Sequence, residues 1–106
     1  MEEKIKISIL LNLYGNLLTQ TQKKYMDLYY NKDWSLSEIG ESENITRQAV
    51  RTILVKSKNK LYEYEEKIRF LKKQENINNL LKKIEEKNIS EEIKKILQEI
   101  KEEIDL

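Results

Sequence analysis

Isoleucines and leucines at positions 5, 9, 13 and 17 fall four apart, the stripe of a helix buried on one side over residues 4–17. Leu10 and Tyr14 widen the stripe, and Gly15 weakens its last turn, as suits a helix about to end. Thr19 and Gln22, three residues apart, then make a capping box for a second helix. Its buried side is predicted as Tyr25, Leu28 and Tyr29, with Met26 and Tyr30 flanking. Asn31, Lys32 and Asp33 read as a turn, and Trp34 closes the unit beneath the segment that follows.

That segment, residues 35–54 (SLSEIGESENITRQAVRTIL), has the spacing of a helix-turn-helix. The first helix is predicted over 36–42, the turn over 43–45, and the second helix after Thr46. Gly40 stands where the two helices approach closely, so a missing Cβ removes a clash. Asn44 is one of the few non-glycine types that tolerates a left-handed turn conformation. Val50 and Ile53 fall on the inner face of the second helix. Ser35 with Glu38 forms a capping box and Thr46 is a cap, while Trp34 with Ile39, and Ile45 with Val50, occupy staple positions.

No Gly or Pro interrupts the chain after residue 44. Leu61, Tyr64, Ile68 and Leu71 continue a narrow helical seam, and the polar run 74–79, with three asparagines, predicts a bend or break. Ile77, Leu80, Leu81 and Ile84 restart the stripe; Lys87 and Asn88 read as a turn. Ser90 caps a last helix whose seam is Ile93, Leu97, Ile100 and Ile104. The fold expected is all-α: a helix-turn-helix domain over 1–60 and a charged helical extension over 61–106. Seams this thin bury little area alone, so the extension folds back on the first domain or pairs with a second chain; a homodimer is the expectation.

Composition narrows the chemistry. The 106 residues suffice for one domain, and 37% are charged. With no Cys and no His, disulfides, thiol chemistry, the usual zinc ligands and the commonest general base are all excluded, and no cofactor is implied. The N-terminus carries both signs of charge without a cleavage site, and no apolar run spans a bilayer, so a cytoplasmic protein without membrane insertion is expected. The adjacent glutamate pairs, such as Glu85 and Glu86, point about 100° apart on a helix and make neither a catalytic dyad nor a metal site. No enzyme is expected.

The net charge of +1 conceals a bias. Residues 45–62 hold five bases and no acid, residues 36–44 three acids and no base, and residues 63–106 twelve acids against ten bases. On the second motif helix the exposed N-terminal residues are Arg47, Gln48, Arg51 and Thr52, since Ala49, Val50 and Ile53 face inward. Arg suits guanine O6 and N7, and Gln suits adenine N6 and N7. Lys56, Lys58 and Lys60 reach phosphates, and the helix start offers free N–H groups to another. The competing reading is that these bases only solubilise a surface helix; the motif in front of them favours use. Tyr25, Tyr29 and Tyr30, at helical spacing, read as core rather than as a platform for bases, and Trp34 as a staple and plug.

Residues 17–54 resemble region 4 of bacterial sigma factors, and the match is closer to the YlxM family of small bacterial helix-turn-helix proteins. The residues that carry it are Leu17, Leu18 and Thr19, Tyr25 after a basic stretch, SLSEI from Ser35 to Ile39, RQAV from Arg47 to Val50, and the acidic tyrosine-containing segment 62–67. The resemblance implies a sigma region 4-like, all-helical, DNA-binding-like fold. It also implies a link to the signal recognition particle, because the family's genes lie beside those of the particle's GTPase and its receptor. Where relatives carry an aromatic or leucine at the end of the first motif helix, this chain has Glu43, a loss of about 1–2 kcal/mol of apolar burial. Where they follow RQAV with Tyr and Asp, it has Arg51 and Thr52, which favours phosphate contact.

Three functions follow from these residues. The first is a regulator that binds duplex DNA. The second is a regulator of the signal recognition particle that touches its RNA, its GTPase or the receptor. The third is a dimeric module whose motif has become a protein-binding surface.

Overall fold

The computed structural model describes residues 2–104; the outermost residues of the two expected domains, Met1, Asp105 and Leu106, lie outside the described residues. Six α-helices form and, among the described residues, no strand: an all-α fold. They are α1 (Glu3–Tyr14), α2 (Gln20–Met26), α3 (Leu36–Glu43), α4 (Arg47–Ile68), α5 (Phe70–Glu85) and α6 (Glu91–Ile104). A 3-10 turn at Gly15–Leu17 follows α1, and a π-helical turn at Asp27–Asn31 follows α2. The chain divides into two compact units, Met1–Ile68 and Arg69–Leu106. Among the described residues no helix is long and apolar enough to cross a membrane.

In the first unit α1, α2 and α3 all pack on α4. The buried row of α4 is Val50, Leu54, Ser57 and Leu61, at steps of four, three and four, so one side faces inward throughout. Ser57 is fully buried without cost in unmet polarity, because its hydroxyl donates to the Ile53 carbonyl at 2.7 Å. The C-terminal half of α4 is tied to the start of the chain. The Tyr14 hydroxyl donates to Glu65 at 2.7 Å, that of Tyr64 donates to the Leu17 carbonyl at 3.2 Å, and Lys58 pairs with Glu3 at 3.2 Å. Residues 61–68 are therefore held within this unit.

The buried face of α1 differs from the predicted stripe. Ile7, Leu10, Leu11 and Tyr14 are buried, Ile9 and Leu13 are half-buried, and Ile5 and Leu17 are exposed. Two apolar stripes centred about 130° apart compete on this helix, and the one that meets α4 wins. In the second helix the capping box of Thr19 and Gln22 forms as predicted. Met26 is fully buried with Tyr25 and Leu28, whereas Tyr29 is only half-buried. The π-helical turn adds a residue to the winding after Met26 and rotates the two tyrosines toward the edge.

The motif forms as predicted. Ser35 and Glu38 complete their capping box, Ile39 is fully buried, and Asn44 ends α3 with φ 62° and ψ 39°. A Cβ at Gly40 would stand 2.8 Å from the Ile45 carbonyl oxygen, a backbone atom that cannot swing away. Gly40 thus admits the turn itself, while its own carbonyl accepts from the Ile45 N–H at 3.0 Å. Glu43, expected only to lose a contact, pairs with Lys24 of α2 at 2.5 Å. The hydrogen bond and charge of Glu43 hold the Lys24 ammonium above its usual pKa, so an ion pair stands where the resemblance places an apolar contact.

In the second unit the predicted break at 74–79 does not occur. Arg69 adopts a left-handed conformation (φ 59°) between α4 and α5, and α5 runs unbroken through the asparagines. Ser90 caps α6 by accepting from the Ile93 N–H at 3.3 Å. Gln74 donates to the Ile104 carbonyl, so α6 runs back along α5, and Glu85 pairs with Lys101. The buried residues here are Leu71, Leu81 and Leu97. The other members of the predicted seams, Ile77, Leu80, Ile84, Ile93 and Ile100, are exposed, and Ile104 is half-buried.

Gly40→Ala is expected to cost about 1–3 kcal/mol, because a backbone atom must shift to admit the methyl. Gly15→Ala meets movable side chains, Leu11 Cδ1 at 3.3 Å and Lys23 Cε at 3.6 Å, and should be neutral or gain up to about 1 kcal/mol of helix propensity. Urea unfolding followed by circular dichroism compares the two; equal losses would remove the carbonyl contact as the constraint.

Candidate nucleic-acid interface

The start of α4 is set by local chemistry. Thr46 accepts from the Ala49 N–H at 3.0 Å, and Asn44 and Ile45 both donate to the Gly40 carbonyl, so the turn leads into the helix with its cap satisfied. Val50 is buried and Ala49 and Ile53 are half-buried. The side chains left outward over the first two turns are Arg47, Gln48, Arg51 and Thr52, all exposed. The Thr52 hydroxyl donates to the Gln48 carbonyl at 3.0 Å, which leaves its oxygen lone pairs to accept.

At about 100° per residue the candidate residues fall into two rows. Arg47, Arg51 and Lys58 lie within about 40° of one another, whereas Gln48, Thr52 and Lys56 rise at four-residue steps on the neighbouring side. The structure brings the two arginines together along one edge and sets Lys56 on the other, about 140° from Arg51. Lys56 is exposed; Lys58 is half-buried with its ammonium engaged by Glu3. Lys60 is exposed on the side of Lys56. Neither Arg47 nor Arg51 makes an ion pair or side-chain hydrogen bond with another described residue.

Three side chains beside the arginine row are set aside in the sequence reading, the tyrosines as core and Trp34 as a staple and plug. Tyr29, Tyr30 and Trp34 are half-buried rather than core, and they line concave surface next to Arg47 and Arg51. A signal is present in the residue types: Tyr and Trp carry an apolar ring and a polar group that seeks a partner or water, so they are often seated at the edge of a core. Burial raises the Tyr30 pKa above its usual value against the opposing charge of Lys58, so its phenol stays neutral. Among the described residues no three His, Cys, Asp or Glu side chains converge as metal ligands would.

Comparison with known proteins gives consistent matches. Residues 1–103 fit the profile of the UPF0122 family, described as helix-turn-helix, YlxM/p13 like. A UPF0122 protein of Clostridium kluyveri is 47% identical over 77 residues, covering 73% of this chain and 69% of the relative. A UPF0122 protein of Clostridium perfringens is 37% identical over 109 residues, covering 98% of this chain and 97% of the relative. One from Fusobacterium nucleatum is 33% identical over 100 residues, covering 94% and 97%.

Thr46→Ala removes the cap that orders the first turn, with an expected cost of about 1 kcal/mol. Hydrogen exchange should show faster exchange at the Ala49 amide and its neighbours while the middle of α4 is unchanged; unchanged protection at Ala49 would mean that the cap does not order this turn.

Proposed function

The chain belongs to the UPF0122 family of YlxM/p13-like helix-turn-helix proteins, and from that premise we propose that it is a cytoplasmic, non-enzymatic regulator that binds duplex nucleic acid through the start of α4. The observation that carries this reading is the set of exposed polar side chains Arg47, Gln48, Arg51 and Thr52, the arginines without an ion pair to another described residue, on the first two turns of a helix presented by a tight turn. A helix so presented enters a major groove N-terminus first, where Arg and Gln match guanine and adenine edges. The N–H groups of the first turn of α4, which have no carbonyl partner within the helix, and the ammonium of Lys56 take phosphates on either side. Lys58 joins them by exchanging Glu3 for a phosphate.

The family resemblance directs this activity to the signal recognition particle, whose RNA offers a duplex and whose GTPase and receptor are the candidate protein partners. Added protein is then expected to change GTP hydrolysis by particle and receptor together; no effect at saturating concentration removes that assignment.

The second unit supports a homodimer. Relative to the buried Leu81, exposed Ile77, Leu80 and Ile84 stand at −4, −1 and +3. Ile93, Ile96 and Ile100 stand at the same offsets from the buried Leu97. Identical offsets in two helices that run opposite ways place both apolar rows on one side of the hairpin, a surface that a second copy can cover. Sedimentation at tens of micromolar should give a dimer mass that Leu80→Lys with Ile96→Lys reduces to a monomer; a monomeric mass for the unaltered chain would overturn the dimer.

For the interface itself, Arg47→Ala and Arg51→Ala are each expected to weaken duplex binding by about 1–3 kcal/mol. Lys56→Ala should lower affinity modestly and reduce the slope against log salt by about 1. Fluorescence anisotropy across salt concentrations measures both. Unchanged affinity in the two arginine variants would refute the reading.

A further inference from the structure

Tyr29 and Tyr30 sit side by side at the end of the π-helical turn, ring centroids 4.9 Å apart and tilted 55°. They are shared by two adjoining concavities. One, about 550 Å³, also takes in Trp34, Leu36 and Arg47. The other, about 200 Å³, takes in Leu36, Arg51 and Lys58. With Tyr29, Tyr30 and Leu36 common to both, they make one open groove alongside the first turns of α4. Its size is in the range of ligand sites, and three of the side chains that line it are aromatic.

The charges of the groove decide what fits. Its acids are both matched: Glu3 pairs with Lys58, and Asp33 with Lys4. Arg47 and Arg51 are not matched and stand on the border between the groove and the outward face of α4. An occupant therefore needs flat π-faces for the tyrosines and tryptophan and negative charge for the guanidinium groups. A nucleotide chain supplies both, and it does so only when unpaired, because the bases of a duplex are already stacked on one another.

We propose that this groove binds an unpaired stretch of nucleic acid, one or two bases stacking on Tyr29, Tyr30 and Trp34 while Arg47 and Arg51 hold the adjoining phosphates. The inference rests on the duplex reading above and deepens it: within a duplex the arginines read base edges beside Gln48 and Thr52, and where a strand leaves the duplex the same guanidinium groups, on the border of the groove, turn to its phosphates. The preferred ligand is a junction between duplex and single strand.

Trp34 is the single tryptophan of the chain, so its fluorescence reports on the groove directly. Two probes are compared: a blunt labelled DNA duplex, and the same duplex with an unpaired extension of about six nucleotides, within the range of single-strand site sizes. The extension is expected to raise affinity about tenfold, the effect of stacking one base, and to quench Trp34. Tyr29→Leu should abolish that gain and leave binding of the blunt duplex unchanged, while Tyr29→Phe should retain it, since stacking needs the ring and not the hydroxyl. A ribonucleotide extension shows whether RNA or DNA is the better strand. If the blunt duplex binds and the extension adds neither affinity nor quenching, the groove proposal is wrong and the duplex reading stands. If only the extended probe binds and quenches Trp34, the groove stands and the duplex reading falls. Binding of neither probe removes both, and a gain that survives Tyr29→Leu overturns the groove.

Discussion

The close approach of Gly40 to the Ile45 carbonyl governs how α3 meets α4. A methyl there would collide with backbone, so the turn can be this tight only with glycine at that position. Asn44 supplies the left-handed residue that reverses the chain, and the Gly40 carbonyl is consumed by the amides that follow. Once this corner is set, Ile39 and Val50 are both fully buried, and the inward row of α4 is defined for the rest of its length. The outward row is defined with it. The candidate reading residues are exposed because the turn dictates which side of α4 is free.

The two units spend their apolar residues differently. In the first, three helices and two irregular turns close around α4; the buried Ser57 is matched by the Ile53 carbonyl, and the half-buried Glu43 by Lys24 at the surface. In the second, two helices can bury only the line between them, so Leu81 and Leu97 are covered while the rows beside them stay open. The closed unit presents the exposed polar face of α4 and the open one an uncovered apolar surface, and the proposed roles of reading and pairing divide along the same line.

Legibility followed the range of the interactions. The capping boxes at Thr19 and Ser35, the cap at Thr46 and the left-handed Asn44 each involve residues within about four positions, and each formed as read. The break between α4 and α5 falls at Arg69 rather than at 74–79, because asparagines that lower helix propensity do not end a helix, whereas Arg69 does so without being a residue type that signals it. The buried face of α1 is not legible in the sequence, because both candidate faces are apolar and periodicity alone does not choose between them.

The sequence by itself determined the helical class, the motif, its caps and the residues at the start of α4, since these depend on spacing and on contacts within a turn or two. Tertiary structure alone decided which α1 face is buried, that Tyr29 and Tyr30 line a groove rather than a core, and that Lys58 is engaged by a partner 55 residues away. It also decided that Arg47 and Arg51 stay uncommitted. Such outcomes depend on how helices distant in sequence pack, and packing compares alternatives that periodicity leaves equal.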